Sequence, residues 1–349
     1  MLRAYIHDLI SPPACFSSPD PLKLWVEPPA REPAATGGKY TMDLKQLEYI
    51  VMIAEENSIT RAAERLFITQ SGLNQQLLKL EAELGIQLFH RSKNDFRLTQ
   101  AGQVYVSYAR KILRLKQEAY NILNDMAGNK RGTLRVGLTP ERGIAMFMSI
   151  YPAFYAEYPH ITIEPLEIGV REQLSRLTKG YLDLGIVTVT EKDRSSFEYI
   201  HLMSEDLVLA IPRNHPLAAQ AAAPGAPFTT VSLEDFKRDK FVLMTKGSTM
   251  RNLINPLFKE AGYVPDILFE SASNHTLRSI VKRRLGCTIL PAAYAGPDPD
   301  IAYFYLPSRP SWELDAVYKK GTYQMKAAGD FIKLAKDYWT SHPYLTEEP

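Results

Sequence analysis

Gln70, Ser71, Asn74 and Gln75 lie close together in the chain, and Leu73, Leu77, Leu80 and Leu84 run among and beyond them at spacings of three and four. On a helix, that spacing gathers the leucines on one face and turns the amides and the hydroxyl outward over the first turns. A side-chain carboxamide can make paired hydrogen bonds to the N6/N7 edge of adenine in a major groove, and a serine reaches either bases or phosphates. Thr69 precedes this helix as a candidate N-cap. The same pattern also fits an ordinary two-helix corner in a helical domain, so the amides need support from their surroundings.

A second set of residues fits a small anion. Thr139-Pro140-Glu141-Arg142, Thr245-Lys246-Gly247-Ser248-Thr249 and Ser271-Ala272-Ser273-Asn274 each follow an expected strand and open an expected helix. Hydroxyls and backbone N–H groups at a helix start suit a carboxylate, which makes Thr139, Thr245, Ser248, Thr249 and Asn274 candidate ligand contacts. Helix capping alone also explains a serine or threonine at such positions. Arg142 and Lys246 are candidate counter-charges, with a solvated surface role as the competing reading.

Enzyme chemistry finds little support. The chain has no Gly-rich phosphate loop and no Gly-x-Ser-x-Gly elbow, and His7, His90, His160, His201, His215, His275 and His342 are scattered without metal-ligand spacing. No cofactor is expected. The two cysteines, Cys15 and Cys287, cannot form a disulfide framework, and Cys287 sits in an apolar run where an inert buried thiol is the default. An apolar content of 45% and a charged content of 23% are those of a globular protein. A net charge of +2 leaves any nucleic-acid argument to local placement of charge. With no apolar run long enough to span a bilayer and no export signal, the expectation is a cytoplasmic protein without a membrane partner.

The elements that would position these residues follow in chain order. Residues 1–41 are rich in proline and end in Gly37-Gly38, so a loose arm is expected, or an extension ahead of a start at Met42. Asp43–Glu56 reads as a helix. Thr60–Leu66 reads as a second, capped by Thr60, with Phe67 and Ile68 filling the corner before the amide-bearing helix. Gly85 ends that helix. Two short strands follow, around Ile86–Phe89 and Phe96–Leu98, with Arg91, Lys93 and Asn94 in the turn between them, a basic wing suited to phosphates. Arg61 on the preceding helix adds a further phosphate candidate.

Thr99 to about Ala127 then reads as one long helix. Tyr105, Tyr108, Ile112, Leu115, Ala119, Ile122 and Met126 form a narrow seam of coiled-coil spacing, whose economical partner is the same helix of a second subunit. After the Gly128–Gly132 hinge the pattern alternates strands and helices, which predicts a mostly parallel sheet covered on both faces, in two lobes around a cleft. The expected division is a DNA-binding domain at 42–98, a linker helix at 99–129 and a ligand domain at 132–346. Within the last, one lobe spans about 132–206 with 301–346, and the other about 207–300.

These features, and above all MDLKQLEYIVMIAEENSITRAAERLFITQSGLNQQLLKLEAELGIQLFHR with FRLTQAGQ after it, resemble the LysR-type transcriptional regulators. Sparser matches continue at Leu134–Gly137, Asn214–Leu217 and Gly286–Pro291. The resemblance implies a winged helix-turn-helix, a dimerising linker helix and an α/β effector domain of the type 2 periplasmic-binding-protein kind. It also implies a homotetramer built as a pair of dimers, double-stranded DNA and a small-molecule effector as partners, and RNA polymerase as a further candidate partner. It adds Thr188 to the effector contacts.

Two departures stand out. Asn74 and Gln75 replace the serine and basic residue usual in the family, which favours amide-to-base readout over a phosphate contact. Arg283-Arg284-Leu285 stands where the family carries a second glycine, at the surface or on the cleft wall. The sequence thus reads as an effector-responsive DNA-binding regulator of a partly dyad-symmetric site. The alternative is a solute-binding protein of a transport system, which the cleft alone would fit.

Overall fold

The computed structural model describes residues 43–92, 95–223 and 225–342. The expectations for residues 1–41, for Cys15 and for Lys93 and Asn94 at the wing tip fall outside them.

Three helices form the N-terminal bundle. In α1 (Leu44–Glu56) the Asp43 carboxylate caps the first turn by accepting from the Lys45 N–H. Helix α2 (Ile59–Arg65) starts one residue earlier than expected, because the Ser58 hydroxyl, and not that of Thr60, accepts from Arg61 N–H at 3.3 Å. Helix α3 (Gln70–Leu84) is capped by Thr69, whose Oγ1 accepts from Gly72 N–H at 3.2 Å, and it stops at Gly85 with φ +66°. Ile50, Ile53, Ala62, Ala63, Leu73, Leu77 and Leu80 bury together with Leu88 and Phe89. A fully buried leucine contributes roughly 2 kcal/mol, so the α3 leucines alone fix which face of that helix turns outward. Phe67 does not fill the corner: its backbone is left-handed (φ +54°) and its side chain is 95% exposed, while the half-buried Ile68 packs against the core.

Strands β1 (Phe89–Ser92) and β2 (Asp95–Leu98) form the antiparallel wing; β1 starts later than the expected Ile86, with Leu88 buried in the bundle core ahead of it, and β2 starts one residue before the expected Phe96. The long helix α4 (Gln100–Met126) begins at Thr99, whose hydroxyl accepts from Gly102 N–H at 2.9 Å. A Cβ at Gly102 would lie 2.0 Å from the Leu88 carbonyl oxygen, so only glycine lets the helix start this close to the wing. Val106 and Ala109 of α4 are buried, whereas Val104, Tyr108, Leu115, Leu123 and Met126 are exposed. Within the expected seam, Tyr108, Leu115, Ala119 and Met126 are thus open to solvent in a single chain.

Beyond the hinge, strands β3 (Arg131–Leu138), β4 (His160–Glu167) and β5 (Leu184–Val189) pair in parallel, with helices α5 (Arg142–Glu157) and α6 (Val170–Lys179) as crossovers. The sheet is mixed and not mostly parallel. Strand β6 (Phe197–Pro212) is far longer than the expected Leu207–Pro212. It pairs antiparallel with β9 (Thr288–Pro291), with β10 (Ile301–Tyr305), where no strand is expected, and with β11 (Ser311–Lys319); β11 in turn runs antiparallel to β5.

Strand β7 (Lys240–Met244) pairs in parallel with β8 (Asp266–Ser271), beside α7 (Thr249–Glu260) and α8 (Asn274–Lys282). Helix α9 (Lys326–Ser341) packs on the first lobe through Phe331, Ile332 and Trp339. Two cores result. Leu202 of β6 and Leu314 of β11 belong to one, while Leu207–Ile211 of β6 and Trp312 of β11 belong to the other. The same two strands therefore cross between both lobes.

At the family departure, Arg284 adopts φ +64° and is exposed. It occupies at the surface a left-handed conformation that glycine takes without strain. Gly286 is a steric requirement, since a Cβ there would lie 2.9 Å from the Lys240 carbonyl oxygen.

Candidate functional site

On the outward face of α3, Gln70, Ser71 and Gln75 are exposed and Asn74 is half-buried at its edge. Thr69 serves first as the cap, its Oγ1 receiving both Gly72 N–H and, at 3.4 Å, the Ser71 hydroxyl. Arg61 is exposed but tethered: its guanidinium donates to the Glu56 carbonyl oxygen and lies 3.5 Å from the Glu56 carboxylate. Arg65, 2.7 Å from the other Glu56 oxygen, holds that carboxyl below its usual range.

Arg91 departs from the expected tip position. It lies within β1, and its Nη2 reaches Glu81 at 2.5 Å. Glu81 is buried in α3 and also accepts the Leu88 and Phe89 N–H groups at 2.7 and 3.2 Å. One carboxylate thus ties the amide-bearing helix to the root of the wing. The glutamate that does so reads in the sequence as an ordinary charged helix residue.

The three candidate loops come together where the lobes meet. Thr245 N–H donates to Ser271 O at 2.9 Å, joining the loops after β7 and β8. Ser248 caps α7 by accepting from Arg251 N–H at 3.2 Å, and Thr249 is half-buried in its first turn. A Cβ on Gly247 would stand 3.8 Å from Nη2 of Arg171, so a guanidinium of α6 lies beside this helix start. Thr188 is buried in β5 in register with Leu314 of β11. The Thr139 hydroxyl is buried without a partner, as is Oδ1 of Asn274, itself 9% exposed.

Glu141, named in the sequence only as part of a loop, crosses from the first lobe to the second. Its carboxylate receives Ser273 Oγ at 2.5 Å, Asn274 N–H at 3.1 Å, Asn274 Nδ2 at 3.4 Å and Tyr294 Oη at 2.8 Å. Burial and the neighbouring Glu141 push the Tyr294 phenol well above its usual range, so it remains a donor.

Arg142 is neither a counter-charge for a ligand nor a surface group. It is buried, ion-paired with Glu205, and stacked 4.7 Å over the Trp339 ring. Glu205 also accepts Ala293 N–H and Trp312 Nε1–H, each at 2.9 Å. That single buried acid fixes both the residue after Glu141 and the turn that presents Tyr294. Lys246 is exposed. Cys287 is buried, which together with Asp239 pushes its thiol up to about 12.

Two family models match the chain: "Bacterial regulatory helix-turn-helix protein, lysR family" over residues 44–103, and "LysR substrate binding domain" over residues 127–340. The DNA-binding transcriptional dual regulator OxyR of Escherichia coli (strain K12) is 30% identical over 285 residues, covering 80% of this chain and 90% of its own. Among solved structures, a full-length OxyR from Pseudomonas aeruginosa carrying a cysteine-to-aspartate substitution superposes with a TM-score of 0.63 at 25% identity, covering 89% of this chain and 99% of that one. Full-length CbnR complexed with its target DNA gives a TM-score of 0.57 at 24% identity, with 85% and 99% covered.

Proposed function

From the premise that this chain belongs to the LysR family of DNA-binding transcription regulators, we propose that it binds a partly dyad-symmetric promoter site as a homo-oligomer and responds to a small metabolite held between the lobes of its C-terminal domain. The observation that carries this reading is the outward face of α3. Gln70, Ser71 and Gln75 are exposed away from its buried leucines and Asn74 is half-buried at the edge of that face, on a helix clamped to the wing by Glu81.

The amides supply base readout, and Thr69, Arg61 and the wing residues Arg91 and Lys93 supply phosphate contacts. Arg61 and Arg91 can make those contacts only by sharing guanidinium donors with Glu56 and Glu81, which makes them oriented contacts. The exposed stripe of Tyr108, Leu115, Ala119 and Met126 supports pairing of α4 with its copy in a second subunit, which sets two α3 helices on two half-sites.

Thr139, Thr188, Thr245, Ser248, Thr249 and Asn274 line the effector site. The α7 start beside Arg171 suits an anionic group of the ligand. Closure of the lobes is transmitted to α4 through its contacts with the first lobe: Tyr323 N–H to Glu118 at 3.1 Å, and Tyr323 Oη and Lys326 N–H to Asp125 at 2.8 and 2.9 Å. Altered spacing of the paired recognition helices then changes DNA bending and access for RNA polymerase.

Binding to specific and to random DNA across a salt series tests the readout. Asn74→Ala and Gln75→Ala are expected to lower specific affinity while leaving non-specific affinity near wild type. Equal losses on both DNAs would refute base readout by these amides. Ser248→Ala with Thr249→Ala is expected to abolish the metabolite response while preserving DNA binding, and an intact response would place the ligand elsewhere.

A further inference from the structure

Glu141 occupies the N-cap position of α5 yet makes no cap for its own helix, and its backbone sits at φ +61°, ψ −80°. A non-glycine residue in such a conformation is strained, and it persists only where its surroundings hold it there. The side chain thereby reaches the other lobe, where the N-terminus of α8 supplies a hydroxyl, a backbone N–H and a side-chain amide, and Tyr294 supplies a phenol. These are the donors that a free carboxylate would use at a helix start. The anion position at this end of the cleft is already filled by the chain itself.

What remains unsatisfied there is an acceptor. Oδ1 of Asn274 is buried with no partner although its amide nitrogen engages Glu141. An orphaned buried acceptor is unfavourable, and a donating ligand group relieves it. A second carboxylate brought to this end would meet Glu141 as a like charge at close range.

We propose that Glu141 is a built-in ligand of the α8 N-terminus, and that the effector presents a hydrogen-bond donor, an ammonium or another N–H-bearing group, to Glu141 and Asn274. The inference rests on the reading of the interlobe cleft as the effector site, and it sharpens the ligand class. An anionic group on the same molecule is directed to the α7 start beside Arg171, and the end facing α8 carries the donor.

Chemical rescue of the full-length chain tests this. Glu141→Ala vacates the carboxylate position, so sodium acetate is expected to raise its melting temperature beyond sodium chloride at equal ionic strength, while wild type gains nothing specific from acetate. In wild type, methylammonium and glycinamide are expected to quench or enhance the fluorescence of Trp312 and Trp339, with affinity falling about tenfold on Glu141→Gln, which keeps the volume and removes the charge.

Acetate stabilising wild type as strongly as Glu141→Ala would overturn the inference, since free carboxylates would then displace Glu141. Absence of any acetate effect on Glu141→Ala, or equal amine affinity in Glu141→Gln, would overturn it as well. Failure of the underlying cleft reading is distinguishable: the Ser248→Ala, Thr249→Ala double variant would then keep its metabolite response, whatever acetate does to Glu141→Ala.

Discussion

Replacing Glu205 with alanine is expected to be among the most damaging single changes in the ligand domain, and the structure gives the size. Glu205 and Arg142 are buried on both sides of their ion pair, with side-chain exposures of 4% and 6%. Glu205 also receives the Trp312 indole N–H and the Ala293 backbone N–H. Removing the acid leaves a buried guanidinium without its counter-ion, which costs about 3–5 kcal/mol, and two orphaned donors at about 1–3 kcal/mol each bring the sum to about 5 kcal/mol or more. For a domain of this size, 1 kcal/mol shifts the melting temperature by about 2–4 °C, so a drop of roughly 10 °C or more is expected.

The assay is thermal unfolding followed by tryptophan fluorescence, which reports on the site because Trp312 touches Glu205 and Trp339 stacks on Arg142. Arg142→Met combined with Glu205→Met removes both charges, and is expected to recover most of the loss suffered by Glu205→Met alone. A Glu205→Ala variant that melts within about 2 °C of wild type, a loss of at most about 1 kcal/mol, would refute the claim that this buried ion pair holds the domain together.

Other outcomes follow from the same structure. Glu81→Ala should weaken binding to specific and random DNA together, because it frees the wing from α3 and strands two buried N–H groups, at a stability cost of about 2–4 kcal/mol measurable by urea unfolding. Leu115→Glu places a charge in the exposed stripe of α4, and if α4 pairs as proposed, analytical ultracentrifugation should show a smaller species than wild type at micromolar concentration. Cys287, held near 12, exposes roughly one thiolate in 10⁵ at pH 7, so native protein should resist thiol reagents and Cys287→Ala should keep its DNA-binding response. The sign of the pH effect follows: raising the pH to 9 should leave the thiol protonated in folded protein, and rapid labelling there would refute the burial argument. Arg284→Gly relieves a left-handed backbone at the surface and should raise stability by up to about 1 kcal/mol in the same unfolding assay.

The N-terminal domain is legible in the sequence because its signals are local. The leucine spacing of α3, the Thr69 cap and the Gly85 stop all lie within the segment they organise. The corner at Phe67 is not, because a left-handed backbone turns that ring outward and no sequence pattern marks it. In the ligand domain the parallel units around β3, β4 and β5 can be read from alternation alone. The long β6 and the added β10 cannot, since their pairing joins strands far apart along the chain, as in Tyr305 with Val208 and Lys319 with Phe197.

Helix starts mark the ligand loops, yet nothing in the sequence singles out Glu141 or Tyr294 within or beside them. A glutamate after proline resembles surface charge, and only the fold brings it to α8. Arg142 shows the same limit in reverse: its charge suggests a ligand contact, and burial against Glu205 gives it a structural role.

The proposed effect of a metabolite in the interlobe cleft is a change in how the α3 amides engage a particular DNA sequence. Its most direct test is selection of bound fragments from random DNA by the full-length protein, with and without a panel of amino acids, amines and carboxylates. The account predicts enrichment of one partly dyad-symmetric sequence, lost in Gln75→Ala, and a change in its affinity or footprint with a donor-bearing ligand. Enrichment that is indifferent to Asn74 and Gln75, or a footprint unmoved by every compound, would contradict it.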